Sequence, residues 1–198
     1  MQTREADNPA YRANGPDRCF HCKNELFTRI ADEVAGAYNL RAVAYGENAD
    51  DAIRPDRPGA RAAADHEVLR PLADAGLGKA TVRAIARALQ LPSADKPAAP
   101  CLASRIPHFQ QVSEAKLAQI ETAEKALRAL GFSELRVRHH GEVARIEFPV
   151  GDLVRAVSAP VRDRIHAAVT AAGFQFAAVD VLGIQSGAFT LTVLQSHD

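Results

Sequence analysis

The chain has 198 residues, of which 47% are hydrophobic and 24% are charged, so it can bury a core without disulfides. Its 24 basic residues balance 24 acidic residues, which argues against a general nucleic-acid-binding protein. No apolar run reaches the ~18 residues of a membrane span, and the polar first residues do not have the pattern of a signal peptide. We therefore expect a cytoplasmic protein with neither a nucleic-acid nor a membrane partner.

The first half of the sequence alternates between helical and extended patterns. Its predicted elements are a loop (1–16), a helix (17–38) capped by Asp17, a short buried strand (40–45), a loop (47–66), a strand or extended run (68–72) and a helix (79–90). Helices that alternate with strands indicate part of an α/β layer built on a parallel sheet.

Four prolines between residues 91 and 112 rule out a continuous helix there, and we place the domain boundary in this stretch, between residues 1–96 and 97–198. The second domain has the pattern of a smaller α+β unit. Its predicted elements are a helix (113–130) with Ser113 as N-cap and Gly131 after its end, a half-exposed strand (135–140), a turn (141–142), an antiparallel strand (143–148), a helix (160–172) with Pro160 at its first position, and a strand (174–182).

Two of the three cysteines form a C-x-x-C motif, Cys19 and Cys22, in the first turn of the predicted helix. Three cysteines cannot form a complete disulfide set, and helix N-termini favour thiolates, so the motif suits a metal, an iron–sulfur cluster or a redox pair. Together with Cys101, three thiolates could hold three irons of a four-iron cluster. With His21 or His108 as a fourth ligand, the same thiols could bind structural zinc. The alternative is an incidental motif, with Cys101 a small buried hydrophobe.

Glu124 falls on the apolar stripe of the predicted helix over residues 113–130, between Ile120 and Leu127. A carboxylate at such a position needs a buried partner or a shifted pKa. The alternative is that Glu124 lies at the edge of the stripe and reaches solvent.

Arg136, Arg138 and His140 alternate onto one face of a predicted strand. Arginine forks suit a phosphate, and no acidic residue lies within the strand itself. The alternative is a solvated face with cross-strand ion pairs to the next strand, where Arg145 and Glu147 share a face.

The segment G-E-N-A-D-D at residues 46–51 follows a predicted parallel strand. Ligands of open α/β sheets bind beyond the carboxyl ends of the strands, so these side chains could bind ribose, substrate or Mg²⁺. An acidic turn is the alternative.

Several strings in the sequence together resemble one known family. Segments 8–11, 18–23, 45–51 and 57–59 resemble the adenine nucleotide alpha hydrolase, or PP-loop, superfamily. More specific are P-A-A-P-C-L-A-S-R-I-P at 97–107, E-K-A-L-R-A-L-G-F at 124–132 and R-V-R-H-H at 136–140. The combination, which covers nearly the whole chain, is similar to the ATP-dependent sacrificial sulfur transferases of the LarE family.

This resemblance implies an incomplete PP-loop α/β domain at 1–96 and a sulfur-transfer domain at 97–198. It implies adenylylation of a carboxylate of a pyridinium mononucleotide by ATP and Mg²⁺, followed by conversion to a thiocarboxylate, in nickel-pincer cofactor biosynthesis. We also expect a homo-oligomer. The implied site comprises a four-iron cluster or zinc on Cys19, Cys22 and Cys101, catalytic Cys101 and Glu124, phosphate ligands Ser104, Arg105, Arg136 and Arg138, and Glu47 and Asp51 near the nucleotide.

The sequence departs from the family pattern in two places. No Gly-rich S-G-G-x-D-S string occurs, so we expect an N-terminally truncated chain that binds ATP very weakly alone. Gln185 stands where the family tends to have arginine within G-F-R-S-G, which weakens the expectation of a phosphate ligand there. Two other interpretations are another adenylating PP-loop enzyme, such as a tRNA thiolase or an amide-forming synthetase, and a non-catalytic metal-binding remnant.

Overall fold

A computed structural model describes residues 1–53, 58–96, 100–185 and 189 of the protein. The chain divides into two compact units, Met1–Ala98 and Ala99–Asp198, which we call unit 1 and unit 2. Helices and strands are mixed, as expected, whereas the PP-loop layering and the functional assignment of the two domains stay predictions. No helix in the described ranges combines the length and apolarity that crossing a bilayer requires.

Unit 1 is mainly helical. Its helices are α1 (Pro9–Ala13), α2 (Arg18–Arg29), α3 (Ala49–Ala52), α4 (Gly59–Asp65), α5 (Pro71–Asp74) and α6 (Lys79–Ala88), with a 3₁₀ turn at Glu5–Asp7 and a π-helical extension of α2 at Ile30–Ala35. The helices predicted over 17–38 and 79–90 are confirmed, although each ends a few residues earlier than predicted. The predicted loop over 1–16 is wrong, because the Asn8 side chain accepts from the Ala10 amide and Pro9 occupies the first helical position.

The buried strand predicted over residues 40–45 is wrong for the structure described. Only one parallel bridge joins this stretch to Leu69, at Ala44, through the amide of Tyr45 and the carbonyl of Val43. Leu40 and Ala44 are exposed, because a central strand is buried only where neighbouring strands and helices cover it. The core of unit 1 instead lies between α2 and α4, and it consists of Phe27, Ala62, Ala63 and Val68.

The predicted loop over 47–66 also contains helices, and α4 packs closely on the start of α2. Gly59 permits this approach, because a Cβ atom there would lie 2.8 Å from Lys23 Cδ and 3.4 Å from the Cys19 carbonyl oxygen. The backbone that carries the C-x-x-C motif is therefore covered by a neighbouring helix.

Unit 2 contains α7 (Glu114–Ala129), β1 (Arg136–His140), β2 (Val143–Glu147), α8 (Leu153–Val157), α9 (Val161–Ala171) and β3 (Phe176–Val179), with 3₁₀ turns at Leu102–Arg105 and Val150–Asp152. The strand order is β1-β2-β3, antiparallel between β1 and β2 and parallel between β2 and β3. This confirms the predicted helix–strand–strand–helix–strand order. Helix α8 was not predicted, and Pro160 precedes α9 as its N-cap.

The ends of α7 follow the predicted sequence signals. Ser113 accepts a hydrogen bond from the Lys116 amide at the N-terminus. Gly131, just past the C-terminus, has φ +89°, a conformation that glycine adopts without steric strain. Between these ends, Ile120, Ala123, Glu124 and Leu127 are the buried residues of α7.

Strand β1 is not half-exposed as predicted, since its first four residues are buried. Val137 pairs with Ile146 on the face that helices α7 and α9 cover, and both side chains are fully buried. Arg136 and Arg138 lie on the opposite face and are also buried. The period-two pattern located the strand correctly, but it could not show that its charged face is covered.

Hydrogen exchange is expected to distinguish the two units. Amides in β2, which is paired on both sides, should exchange at least ~100-fold more slowly than those of Tyr45 and Leu69, whose strand pairing is a single bridge. Exchange measured residue by residue on the monomer checks this difference. Equal protection at both places would show that the extended segment of unit 1 is more stable than its contacts indicate.

Candidate functional site

Glu124 is the most enclosed acidic side chain of α7, with 1% of its surface exposed. One carboxylate oxygen accepts from Arg105 Nε at 2.8 Å and from the Val137 amide at 3.1 Å. The other accepts from Arg128 Nη2 at 2.7 Å and from Arg105 Nη2 at 3.3 Å. The interpretation in which Glu124 reaches solvent is therefore wrong, and the carboxylate is buried with partners.

Opposing effects act on the pKa of Glu124. Burial raises the pKa, but hydrogen bonds and charge from Arg105, the Val137 amide and Arg128 lower it by more, so the pKa lies below its usual value. The side chain is consequently ionised at neutral pH.

Arg105 joins Glu124 to the turn that contains Cys101. Its Nη1 donates to the carbonyl oxygens of Pro100 at 2.9 Å and Cys101 at 3.4 Å, and to Ser104 Oγ at 3.0 Å. The Cys101 side chain itself is exposed and its thiol is free. The structure thus brings together four of the predicted site residues, Cys101, Ser104, Arg105 and Glu124, around one buried ion pair.

A second buried ion pair lies on the charged face of β1 and β2. Arg138 donates to both oxygens of Glu147, at 2.9 and 2.8 Å, and Arg145 donates to the same carboxylate at 3.0 Å. Arg138 also donates to the carbonyl oxygens of Ser104 and Gln185, each at 2.9 Å. The cross-strand ion pair is present, but it is buried rather than solvated. Glu147 was not assigned to the site, although its alternation with Arg145 was visible in the sequence.

Arg136 differs from Arg105 and Arg138, each of which is paired with a buried carboxylate. It is buried and donates to the Gln185 carbonyl, yet among the described residues it makes no ion pair with a carboxylate. Burial, and then the charges of Arg138 and Arg105, lower its pKa. Apart from burial, Arg138 and Arg105 add positive potential at Arg136, which the carboxylates of Glu147 and Glu134 partly offset.

His140 continues the row of cationic groups. Its Nε2 is buried and has no hydrogen-bond partner within the described ranges. Burial, and then the charges of Arg145 and Arg138, lower the pKa of His140, so the ring is neutral at pH 7. The row predicted on one strand face therefore carries the charges of Arg136 and Arg138, but not of His140.

The C-x-x-C motif lies at the start of α2. Neither Cys19 nor Cys22 forms a disulfide bond, both are partly exposed, and the Arg18 guanidinium is 3.8 Å from the Cys19 sulfur. His21 is paired with Asp17 at 3.1 Å. Within each unit, the described residues form no group of three or more side chains that could hold a metal ion. Thiols suit a soft metal or cluster, and the binding of one by Cys19, Cys22 and Cys101 stays a prediction.

Glu47 and Asp51 lie in unit 1. Glu47 is buried and accepts from Arg70 at 3.4 Å, while Asp51 is bonded to Asn48, whose side chain caps α3. Burial and the adjacent Glu47 carboxylate raise the pKa of Tyr45. These contacts explain much of the segment as a capped turn, and the proximity of Glu47 and Asp51 to a nucleotide stays a prediction.

Three of the sequence segments used for the resemblance lie partly outside the described residues. Arg57 of the segment 57–59, residues 97–99 of the segment 97–107 and residues 186–187 of the segment 183–187 are not described. Gln185 is described, and its carbonyl accepts from both Arg136 and Arg138. Its backbone, rather than its side chain, thus contacts the arginine row.

No protein-family model matches the chain. It is 38% identical over 187 residues to an uncharacterized protein of Synechocystis sp., covering 94% of this chain and 69% of that protein. It is 32% identical over 187 residues to the pyridinium-3,5-bisthiocarboxylic acid mononucleotide synthase of Lactiplantibacillus plantarum, covering 93% of this chain and 65% of that enzyme. The chain belongs to the LarE family. An uncharacterized protein of Methanocaldococcus jannaschii is a further relative of this LarE-family chain, at 34% identity over 68% of the chain and 52% of its own length.

The ion pair between Glu147 and Arg138 is expected to contribute strongly to stability. Glu147→Ala leaves the Arg138 guanidinium buried without its carboxylate, and the free energy of unfolding should fall by about 3–5 kcal/mol. Urea denaturation followed by circular dichroism measures this change.

Asp163→Ala is the matched control, because it removes a carboxylate whose partner, Arg162, is exposed. This substitution should change the free energy of unfolding by less than about 1 kcal/mol. Equal effects of the two substitutions would contradict the distinction between buried and exposed pairs.

Proposed function

We propose that this LarE-family chain takes part in ATP-dependent sulfur transfer to a pyridinium mononucleotide, in nickel-pincer cofactor biosynthesis. The observation that carries the proposal is the cationic group at Arg136, which lacks a carboxylate among the described residues and lies near the Arg105 that holds the Cys101 turn. The phosphate of a mononucleotide could bind to Arg136. Its carboxylate, once adenylylated, could then lie near the turn that carries Cys101. The name of the Lactiplantibacillus relative supports this class of substrate.

The reaction consists of two balanced steps. A carboxylate oxygen of the substrate attacks the α-phosphorus of ATP, and pyrophosphate leaves. Hydrosulfide then attacks the carbonyl carbon of this acyl adenylate, AMP leaves with the bonding electron pair, and loss of the sulfur-bound proton gives a thiocarboxylate. ATP and Mg²⁺ belong to the first step, for which the Gly-rich pyrophosphate loop does not occur in this sequence. We propose Glu47 and Asp51 as the residues of this chain nearest the nucleotide.

The phosphate of the mononucleotide is proposed to bind to Arg136. A guanidinium donates two parallel hydrogen bonds to phosphate, and a buried one is already stripped of water. Arg105 and Arg138 add positive potential, although the buried carboxylates of Glu124 and Glu147 hold most of their donors. Ser104 lies next to Arg105 in the 3₁₀ turn Leu102–Arg105, and its hydroxyl is the last of the proposed phosphate ligands.

We propose that Cys19, Cys22 and Cys101 bind a four-iron cluster. When bound, such a cluster supplies an open iron that can carry hydrosulfide. The chain's own contribution is three thiols that form no disulfide, of which Cys101 is on the turn that Arg105 holds. Zinc remains the rival metal, since it accepts the same ligands.

Anaerobic reconstitution with iron and sulfide is expected to give a brown protein with about four irons per chain. Alanine at Cys19, Cys22 or Cys101 should abolish or destabilise the cluster, because each thiol would hold one iron. Iron analysis and visible absorption measure the outcome.

His21→Ala is the control, because its ring is paired with Asp17 and is not a proposed ligand. Iron content should stay unchanged in this variant. Purification with tightly held zinc that His21→Ala releases would sink the cluster proposal and leave a structural zinc site.

Arg136→Ala is expected to weaken the binding of nicotinic acid mononucleotide about 10- to 150-fold, the loss that follows from removing a charged hydrogen-bond donor. Nicotinic acid, which has no phosphate, should show no such change. Calorimetry with both ligands measures the difference.

Arg128→Ala removes an arginine that is 48% exposed and bound to Glu124, and it should leave affinity for the mononucleotide within about twofold. Equal weakening by both substitutions would indicate general electrostatic attraction instead of a phosphate ligand at Arg136.

A further inference from the structure

Arg105 has each of its guanidinium nitrogens engaged by protein acceptors. Nε and Nη2 donate to the two oxygens of Glu124, and Nη1 donates to the carbonyls of Pro100 and Cys101 and to Ser104 Oγ. Only 4% of the side chain is exposed. Little of its donor capacity remains for a substrate phosphate.

Glu124 is equally occupied. Each of its oxygens accepts two hydrogen bonds, and four bonds fill the lone-pair positions of a carboxylate. A carboxylate in this state is a poor acceptor for a proton from substrate. Its chemical partners are instead the side chain of Arg105 and the backbone of Val137.

These contacts connect two parts of the proposed site. Through Arg105, the carboxylate binds the turn that carries Cys101, and through the Val137 amide it binds β1 next to Arg136. Strand β1 is at the edge of the sheet, so this amide would otherwise lack an acceptor. A second connection runs from Arg138 Nη1 to the Ser104 carbonyl at 2.9 Å.

We propose that Glu124 and Arg105 are positioning residues, which fix the Cys101 turn against β1 so that the Cys101 thiol and the Arg136 guanidinium keep one separation. The importance of this positioning for catalysis rests on the proposed roles of Cys101 and Arg136 in sulfur transfer. The mechanical part concerns contacts within unit 2 alone and can be tested separately.

Arg105→Lys and Arg128→Lys form a matched pair, because both arginines donate to Glu124 and only Arg105 also holds the carbonyls of the turn. Lysine keeps the positive charge beside the carboxylate. A single ammonium cannot donate to both Glu124 oxygens and to the Pro100 and Cys101 carbonyls at once. Arg105→Lys should therefore release the turn while the ion pair remains.

The first measurement is amide exchange in the full chain. The Ser104 and Ile106 amides, which donate to the Cys101 and Ala103 carbonyls, should exchange at least ~10-fold faster in Arg105→Lys than in wild type. Exchange in β2 and α9 should stay unchanged, and Arg128→Lys should behave as wild type. Unchanged exchange in the turn, or an equal increase throughout unit 2, would overturn the proposal.

The second measurement is sulfur transfer from the cluster-loaded chain to the preformed acyl adenylate of the mononucleotide, so that ATP binding does not enter the assay. Loss of positioning should lower kcat at least ~10-fold, whereas KM for the acyl adenylate stays within about twofold. A raised KM with unchanged kcat would overturn the proposal and make Arg105 a direct phosphate ligand. Absence of transfer in the wild type would refute the proposed function, while the exchange measurement still decides the mechanical part.

Glu124→Gln provides a second variant should Arg105→Lys fail to fold. The amide keeps one acceptor oxygen for the Val137 amide but cannot bind the Arg105 fork through two oxygens. The same local increase in exchange at Ser104 and Ile106 is expected. Retention of wild-type exchange there would show that the turn is held without Glu124.

Discussion

The buried carboxylate of Glu124 is the interaction on which the rest of unit 2 depends. An ionised group in the interior is tolerated only where hydrogen bonds and opposite charge offset its lost hydration. Three elements meet this need together, since α7 supplies the carboxylate, β1 supplies the Val137 amide and the turn before α7 supplies Arg105. Removing any one of them leaves the others with unsatisfied buried groups. The local arrangement is therefore cooperative.

The charges of this region do not balance among the described buried side chains. Glu124 offsets Arg105, and Glu147 offsets Arg138, but Arg136 has no such carboxylate. Arg128 contacts Glu124 from a more exposed position and adds further positive charge, whereas Arg145 is paired with both Glu147 and Asp180. A buried surplus of positive charge favours the binding of an anion, and we propose that this anion is the phosphate of the substrate.

Local signals were sufficient to predict α7, β1, β2 and their order. Ser113 and Gly131 marked the ends of α7, and the period-two alternation around Val137 and Ile146 located two strands. Burial was not predictable in the same way. The stripe position of Glu124 left open whether it reached solvent, because the decisive partner, Arg105, lies 19 residues earlier in a segment without regular periodicity.

The same limit applied to the charged strand and to unit 1. The sequence of β1 did not show that Arg138 would bind Glu147 of β2. In the register of the two strands Arg138 lies opposite Arg145, so its contact with Glu147 is a diagonal one. In unit 1, the apolar run over residues 40–45 predicted a buried strand. A strand is buried only by its neighbours, and the described part of the chain gives this segment a single bridge to Leu69.

In the role of phosphate ligand that we propose for it, Arg136 would belong to a site prepared by the folding of unit 2. Its guanidinium lost most of its water when unit 2 folded, and that cost was met by the whole unit rather than by a ligand. Because the Gln185 carbonyl already orients this donor, the proposed phosphate would need little reorganisation of the protein. The neighbouring arginines keep their carboxylates, so they raise the potential without changing partners. Affinity for the anion then depends on one free charge, and its placement relative to Cys101 depends on the Glu124 contacts.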